Sequence, residues 1–267
     1  MTGMDEAQIC LISSYIYRKF GIYMGSDKYE RLELRLKNMM NRGYCTSTDE
    51  LCERLSSGDS RCFDQLAGFI TTCHTFFFRE PEHFRILASD IKKRRRPAIR
   101  IWCTACSTGE EPYSIVMTLL QQGITDFHII ASDVNRDVLG NFNRGLYHEN
   151  RFCRTEDAVR DLYFTREDDS FWRINSELRK YISIKNLNLM DSVHFARPFD
   201  YVFCRNVFIY FDRDSQAAAL TNITENLRTD GLLFIGLAET LLSEPDNLKK
   251  TGCSVYRRTV NGEGIHI

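Results

Sequence analysis

The hydrophobic pattern of this chain changes near residue 98, and that change restricts the available folds more than any other feature. Before it, apolar residues recur at helical spacing. Ile9, Ile12, Ile16 and Phe20 precede Gly21, and Leu32, Leu36, Met39 and Met40 precede Gly43, each Gly suited to end a helix in the left-handed conformation. Ser47 and Glu50 make a capping box for a short helix ending near Gly58, and Phe63, Leu66 and Ile70 mark the next one. Pro81 opens a further helix that runs into the basic cluster at 92–96 and is stopped by Pro97. No strand is expected before residue 98.

Beyond that point short apolar runs alternate with helical segments. Strands are predicted at 99–103, 127–132, 182–185, 201–204 and 232–237, with helices over 111–122 and 214–228. Strands joined by helical crossovers require a parallel sheet covered on both faces, the α/β class. Residues 171–175 and the stretch before Ile182 read as a small antiparallel subdomain inserted at about 164–182. At about 150 residues per domain, 267 residues make roughly two units. The division expected is an all-helical part over 1–74 and an α/β part over 75–267.

Composition removes several alternatives. With 43% hydrophobic residues, 18 Phe, 12 Tyr and only 5 Pro, the chain is globular rather than disordered or repetitive. Its longest apolar stretch, 231–238, falls short of the roughly 20 residues of a membrane span, and no signal pattern opens the sequence. A cytoplasmic protein is expected, with no membrane insertion. The ten Cys are scattered singly, so reduced thiols are the reading; the single CxxC, Cys103 and Cys106, lacks a second pair to complete a metal set, and no metal is expected. Net charge is −1, but residues 1–100 carry 17 Lys and Arg against 13 Asp and Glu. A mildly basic N-terminal unit suits an anionic partner, or simply a solvated surface.

Ligands of open α/β sheets sit at the carboxyl ends of strands. The first predicted strand is followed by Thr104-Ala-Cys-Ser-Thr-Gly109-Glu-Glu111-Pro, small residues that allow a ligand close to the backbone, with one Gly where the dinucleotide fingerprint needs three. A pyrophosphate is therefore disfavoured, and Glu110 and Glu111 would repel one, although acidic residues also suit a helix start. Asp133 ends the second strand, where a carboxylate accepts hydrogen bonds from ribose hydroxyls; alternatively it caps the following helix, a task Asn135 could equally perform. A ribose without a phosphate describes S-adenosylmethionine. The aromatic run 76–78 reads as core at the domain junction, whereas Arg79 behind it needs an anionic partner if buried.

Five segments together resemble the CheR family of chemotaxis receptor glutamate O-methyltransferases: Thr71-Thr-Cys-His-Thr75-Phe-Phe-Phe-Arg79-Glu, Ser107-Thr-Gly-Glu-Glu111-Pro-Tyr-Ser114, Ala131-Ser-Asp133, Asn188-Leu189 and Phe203-Cys-Arg205-Asn206-Val-Phe-Ile-Tyr210-Phe. The likeness spans nearly the whole chain. It implies a Rossmann-like class I methyltransferase domain behind a helical receptor-docking domain. It also implies S-adenosylmethionine contacts from Cys73, Thr75, Arg79, Glu111, Asp133, Asn188, Leu189, Arg205 and Asn206, with Arg79 and Tyr210 near the transferred methyl. Cys73 stands where the family usually has Asn. A nucleic-acid methyltransferase would carry an Asn/Asp-Pro-Pro-aromatic element where this chain has Cys204-Arg-Asn-Val, so no nucleic-acid partner is expected.

The implied substrate is a glutamate in the cytoplasmic helical region of a methyl-accepting chemotaxis receptor, turned into a methyl ester with S-adenosylhomocysteine as the second product. For docking, Lys28, Arg31, Arg35 and Arg42 are expected along one stripe of the second helix, opposite Leu32, Leu36 and Met39. Some CheR relatives hold a receptor's C-terminal pentapeptide on the small β subdomain. Here its loop, Thr165-Arg-Glu-Asp-Asp-Ser170, has no Gly and places Glu167, Asp168 and Asp169 against a terminal carboxylate, so tether binding is not expected.

Overall fold

The computed structural model describes residues 4–243 and 245–260. Its N-terminal part is built from α1 (Glu6–Phe20), α2 (Tyr29–Asn41), α3 (Thr48–Ser56) and α4 (Ser60–Ile70). The apolar stripes seen in the sequence are the faces these helices bury, with Ile12, Ile16, Leu36, Met39 and Leu66 meeting in one cluster. Local chemistry sets the ends. Gly21 takes φ +69° and sends its N–H to the Tyr17 carbonyl at 2.8 Å. Ser47 accepts from the Glu50 N–H, while the Glu50 carboxylate reaches back to the Thr46 N–H at 2.7 Å.

A loop over 71–81 leads through α5 (Glu82–Arg94) into the α/β part: β1 (Ile99–Thr104), α6 (Glu110–Gln121), β2 (Phe127–Asp133), α7 (Arg136–Arg144), β3 (Leu146–His148), α8 (Asp157–Tyr163), β4 (Phe164–Arg166), β5 (Phe171–Ile174), β6 (Ile182–Asn186), β7 (Phe199–Cys204), α9 (Arg213–Asn226), β8 (Leu227–Ile235), β9 (Leu248–Gly252) and β10 (Val255–Arg258). The main sheet has the order β6-β2-β1-β7-β8-β10-β9. Its first five strands are parallel, and β10 and β9 add an antiparallel hairpin at one edge. From β1 the chain winds outward to β2 and β6 on one side, then returns to β7 and β8 on the other. The carboxyl ends of β1 and β7 therefore frame the switch point at which such sheets bind ligands.

Three differences from the sequence reading have local causes. First, α9 ends at Asn226, whose side chain bonds to the Phe195 N–H and the Val193 carbonyl, and β8 begins at once with Leu227 paired to Phe199. Second, the β9–β10 hairpin went unforeseen because β9 is mostly solvent-exposed and shows no alternation. Third, the small sheet, of order β3-β5-β4, takes an edge from Leu146–His148, upstream of the 164–182 segment expected. Tertiary packing selects that strand: Phe77 lies 4.9 Å from the Tyr147 ring, 4.9 Å from Phe152 and 5.0 Å from Phe164, one aromatic cluster that seats the insertion on the domain junction.

Candidate active site

A cleft enclosing about 1230 Å³, its open mouth included, lies at the carboxyl ends of β1, β2 and β7 and is closed on one side by Phe20 and Ile22 of the helical part. Cys73, Thr75, Arg79, Glu111, Asp133, Asn188, Leu189, Arg205, Asn206 and Tyr210 all line it. The fold thus gathers residues from five separated segments around one space.

The turn after β1 forms one wall. Gly109 has φ +96°, and a Cβ there would sit 2.3 Å from the Phe142 ring, so only Gly fits. The two glutamates that follow diverge, as neighbours on a helix must. Glu110 is fully buried, takes the Thr108 hydroxyl at 2.6 Å, and is pushed above the usual carboxylate range by that burial. Glu111 faces the cleft. Its Oε1 accepts from the Cys103 thiol at 2.9 Å and its Oε2 from Arg205 at 2.6 Å. Cys103 is therefore more than an apolar filler, although burial holds its thiol well above its ordinary range, in the neutral form.

At the end of β2 the ambiguity over the helix cap is resolved. The Asn135 side chain caps α7 by accepting from the Asp137 and Val138 N–H groups, and its amide donates to Thr71 at 3.0 Å. That leaves Asp133 to the cleft. Its Oδ2 takes the Ser107 N–H at 2.8 Å and its Oδ1 the Asn135 N–H at 2.9 Å. Each oxygen keeps a further lone pair. Burial raises the Asp133 carboxyl above its ordinary value, against the pull of those amides. The Ser107 hydroxyl, also on the wall, is buried without a hydrogen-bond partner.

Arg205 is the best-satisfied ion in the site: its side chain is 1% exposed and donates to Glu111, to Glu80 at 2.9 Å and to the Arg79 carbonyl at 2.6 Å. Its guanidinium is spent on holding the cleft together. Glu80 was quoted in the motif without a task, and only the fold reveals it as the bridge between the 71–81 loop and the loop after β7. Arg79 is part-exposed, bonded to the His74 carbonyl at 2.8 Å, and 4.0 Å from Glu80. Asn188 donates to the Lys19 carbonyl at 2.6 Å, tying the cleft to α1. Five non-glycine residues around the cleft adopt left-handed φ: Phe78 and Glu80, either side of Arg79, then Ala105, Ser107 and Asn206. Each costs about 1–3 kcal/mol, a concentration characteristic of functional sites.

The four basic residues expected on one stripe of α2 separate. Arg31 is exposed. Lys28 precedes the helix and donates to the Tyr23 carbonyl. Arg42 follows it, 5.6 Å from the Phe69 ring. Arg35 turns inward, donating to the Ile70 carbonyl and to the Thr72 hydroxyl at 2.8 Å. The last carbonyls of a helix lack partners, and Arg35 supplies one to α4. It is a structural residue rather than part of a free docking face. On the small sheet Glu167 is paired with Arg173 at 2.6 Å and Asp168 takes the Ser170 and Phe171 N–H groups, so the loop is less repulsive than its acidic sequence suggested.

An open α/β sheet with a strand-end carboxylate and a small-residue turn at its switch point defines a nucleoside-binding enzyme of the methyltransferase type. The chain belongs to the CheR methyltransferase family: residues 73–257 match the family's SAM binding domain and residues 7–71 its all-alpha domain. It is 34% identical over 265 residues to the chemotaxis protein methyltransferase of Escherichia coli, covering 95% of this chain and 91% of that protein. The chemotaxis protein methyltransferase of Borreliella burgdorferi is 32% identical over 254 residues, covering 90% of each.

Proposed function

We propose that this protein transfers a methyl group from S-adenosylmethionine to glutamate side chains of chemotaxis receptors. The observation that carries this is the convergence, in one cleft, of Asp133, Arg79 and Tyr210 around the buried Glu80–Arg205–Glu111 set. The residues present suit S-adenosylmethionine. Asp133 retains lone pairs for ribose hydroxyls, and the orphaned Ser107 hydroxyl needs a partner.

When bound, S-adenosylmethionine supplies an electrophilic methyl on a sulfonium. A glutamate, with a reference pKa near 4.3, is ionised at neutral pH and needs no general base. The protein's task is alignment and exclusion of water. Arg79, with one arm held by the His74 carbonyl, has donors left for a carboxylate. Tyr210 lines the cleft from the loop after β7, and its hydroxyl would orient the incoming nucleophile. Arg205 fixes Glu111 and the backbone of Arg79, keeping both from swinging into the reaction path.

The substrate reading extends to the receptor's cytoplasmic helical region, met by the exposed Arg31 and by Lys28 beside it. A pentapeptide tether is not part of it, because β4, the edge strand next to the 167–170 loop, is three residues long and offers few main-chain bonds. The test is incubation of the protein with methyl-labelled S-adenosylmethionine and receptor cytoplasmic fragments, with and without a C-terminal tail. Base-labile label on glutamate at equal rates for both fragments is expected. Absence of label on both overturns the activity, and a strong dependence on the tail overturns only the docking reading.

A further inference from the structure

We propose that Glu239 is a positioning residue for methyl transfer: its carboxylate clamps the loop that carries Asn206 and Tyr210. This loop leaves β7 at Cys204 and turns through Asn206 at φ +60°, a left-handed conformation that Asn adopts more readily than other side chains and that hydrogen bonds to the turn's N–H groups can support. Glu239 supplies that support from the segment after β8. Its Oε2 accepts the Asn206 N–H at 2.8 Å and the Gly236 N–H at 2.6 Å, and its Oε1 accepts the Ile209 N–H at 3.3 Å. The two oxygens thus grip the loop at both ends of its turn, one residue short of Tyr210.

Glu239 is buried, and among the described residues it forms no ion pair. A carboxylate taken out of water without a cation is costly, and here only backbone amides satisfy it. An amide side chain of the same shape could not do so, since its nitrogen would face a donor. Packing is closed around the clamp: a Cβ on Gly236 would lie 2.5 Å from the Asn206 side-chain Nδ2, 2.8 Å from Glu239 Oε2 and 3.1 Å from the Asn206 backbone nitrogen. The far end of the loop is fixed independently, the Tyr210 carbonyl accepting the Tyr23 N–H at 2.9 Å. Glu239 does not line the cleft, so it acts through the loop. No motif singled it out in the sequence.

The kinetic arm of the test rests on the methyl-transfer reading, and the exchange arm does not. In the wild-type protein the Asn206 and Ile209 amides should exchange with solvent at least 100-fold more slowly than unprotected loop amides, and in Glu239→Gln that protection should fall at least 10-fold. With thermal midpoint within a few degrees of wild type, Glu239→Gln should lose at least 10-fold in kcat for receptor methylation, while S-adenosylhomocysteine affinity, to which Asn206 contributes, falls several-fold less than kcat. Unprotected amides in the wild type overturn the clamp even if the variant does not fold. A kcat within 2-fold of wild type, or a cofactor affinity that falls in step with kcat, overturns the positioning role. Absence of methylation by the wild type itself would discredit the activity and leave the exchange arm to decide the clamp.

Discussion

Replacing Arg205 by Met removes a guanidinium but keeps most of the volume of its side chain, so the cost is electrostatic. Glu80 and Glu111, 14% and 16% exposed, would lose the cation they share, leaving only the part-exposed Arg79 at 4.0 Å from Glu80. Breaking a buried pair by deleting one partner costs about 3–5 kcal/mol. Two stranded carboxylates place this case toward the top of that range, a fall in melting temperature of roughly 10–15 °C at about 2–4 °C per kcal/mol for a chain of this size. The pH dependence is the sharper test. Burial by itself would raise the Glu80 carboxyl, but the charge and hydrogen bonds of Arg205 outweigh it and hold the group below its usual value. In the wild type that depression stabilises the fold above the unfolded pKa of Glu and is lost as pH falls through the folded one. Without Arg205 the sign reverses: burial raises Glu80, and the penalty, complete near pH 7.5, is relieved as the carboxyl protonates. His83 moves the same way. Its ring, 3.8 Å from Glu80, is held down to about 4 by burial and then by Arg205, so it protonates more readily once the guanidinium is gone. Thermal or urea unfolding of both proteins at pH 7.5 and pH 5.0 should show a smaller difference at the lower pH. A penalty below about 1 kcal/mol at pH 7.5, or one equal at both pH values, would refute the reasoning.

Other consequences are as direct. Asp133→Ala should weaken S-adenosylhomocysteine binding by about 1.5–3 kcal/mol, the range for hydrogen bonds to a charged group; calorimetry giving wild-type affinity would remove the ribose assignment. Gly109→Ala, which drives a methyl into the Phe142 ring from a left-handed backbone, should cost about 1–3 kcal/mol, and an unchanged unfolding midpoint would contradict the turn geometry. Lys28→Glu with Arg31→Glu should raise the receptor KM and flatten its salt dependence without altering cofactor affinity. An unaltered KM at low salt would exclude this docking face.

The helical stripes, the alternation of strand and helix, the small-residue turn after β1 and the strand-end Asp133 could be read from the sequence, because these depend on period, capping and turn chemistry within a few residues; the other cleft segments followed from the likeness to the CheR family. Gly21, the Ser47–Glu50 box and the small residues after β1 act at short range and are legible for that reason. What tertiary structure decided depends on groups far apart in the chain. Asp133 and Asn135 were equal candidates for one cap until Thr71, from the preceding loop, engaged the Asn135 amide. Arg35 looked like a surface cation until the last carbonyl of α4 fell within its reach. Glu80 and Arg205 are 125 residues apart and Glu239 lies 33 beyond Asn206, so no local pattern marks them as partners. A buried charge is tolerable only where an opposite charge or hydrogen-bond donors meet it, and which groups meet it is fixed by the packing of the sheet rather than by sequence spacing.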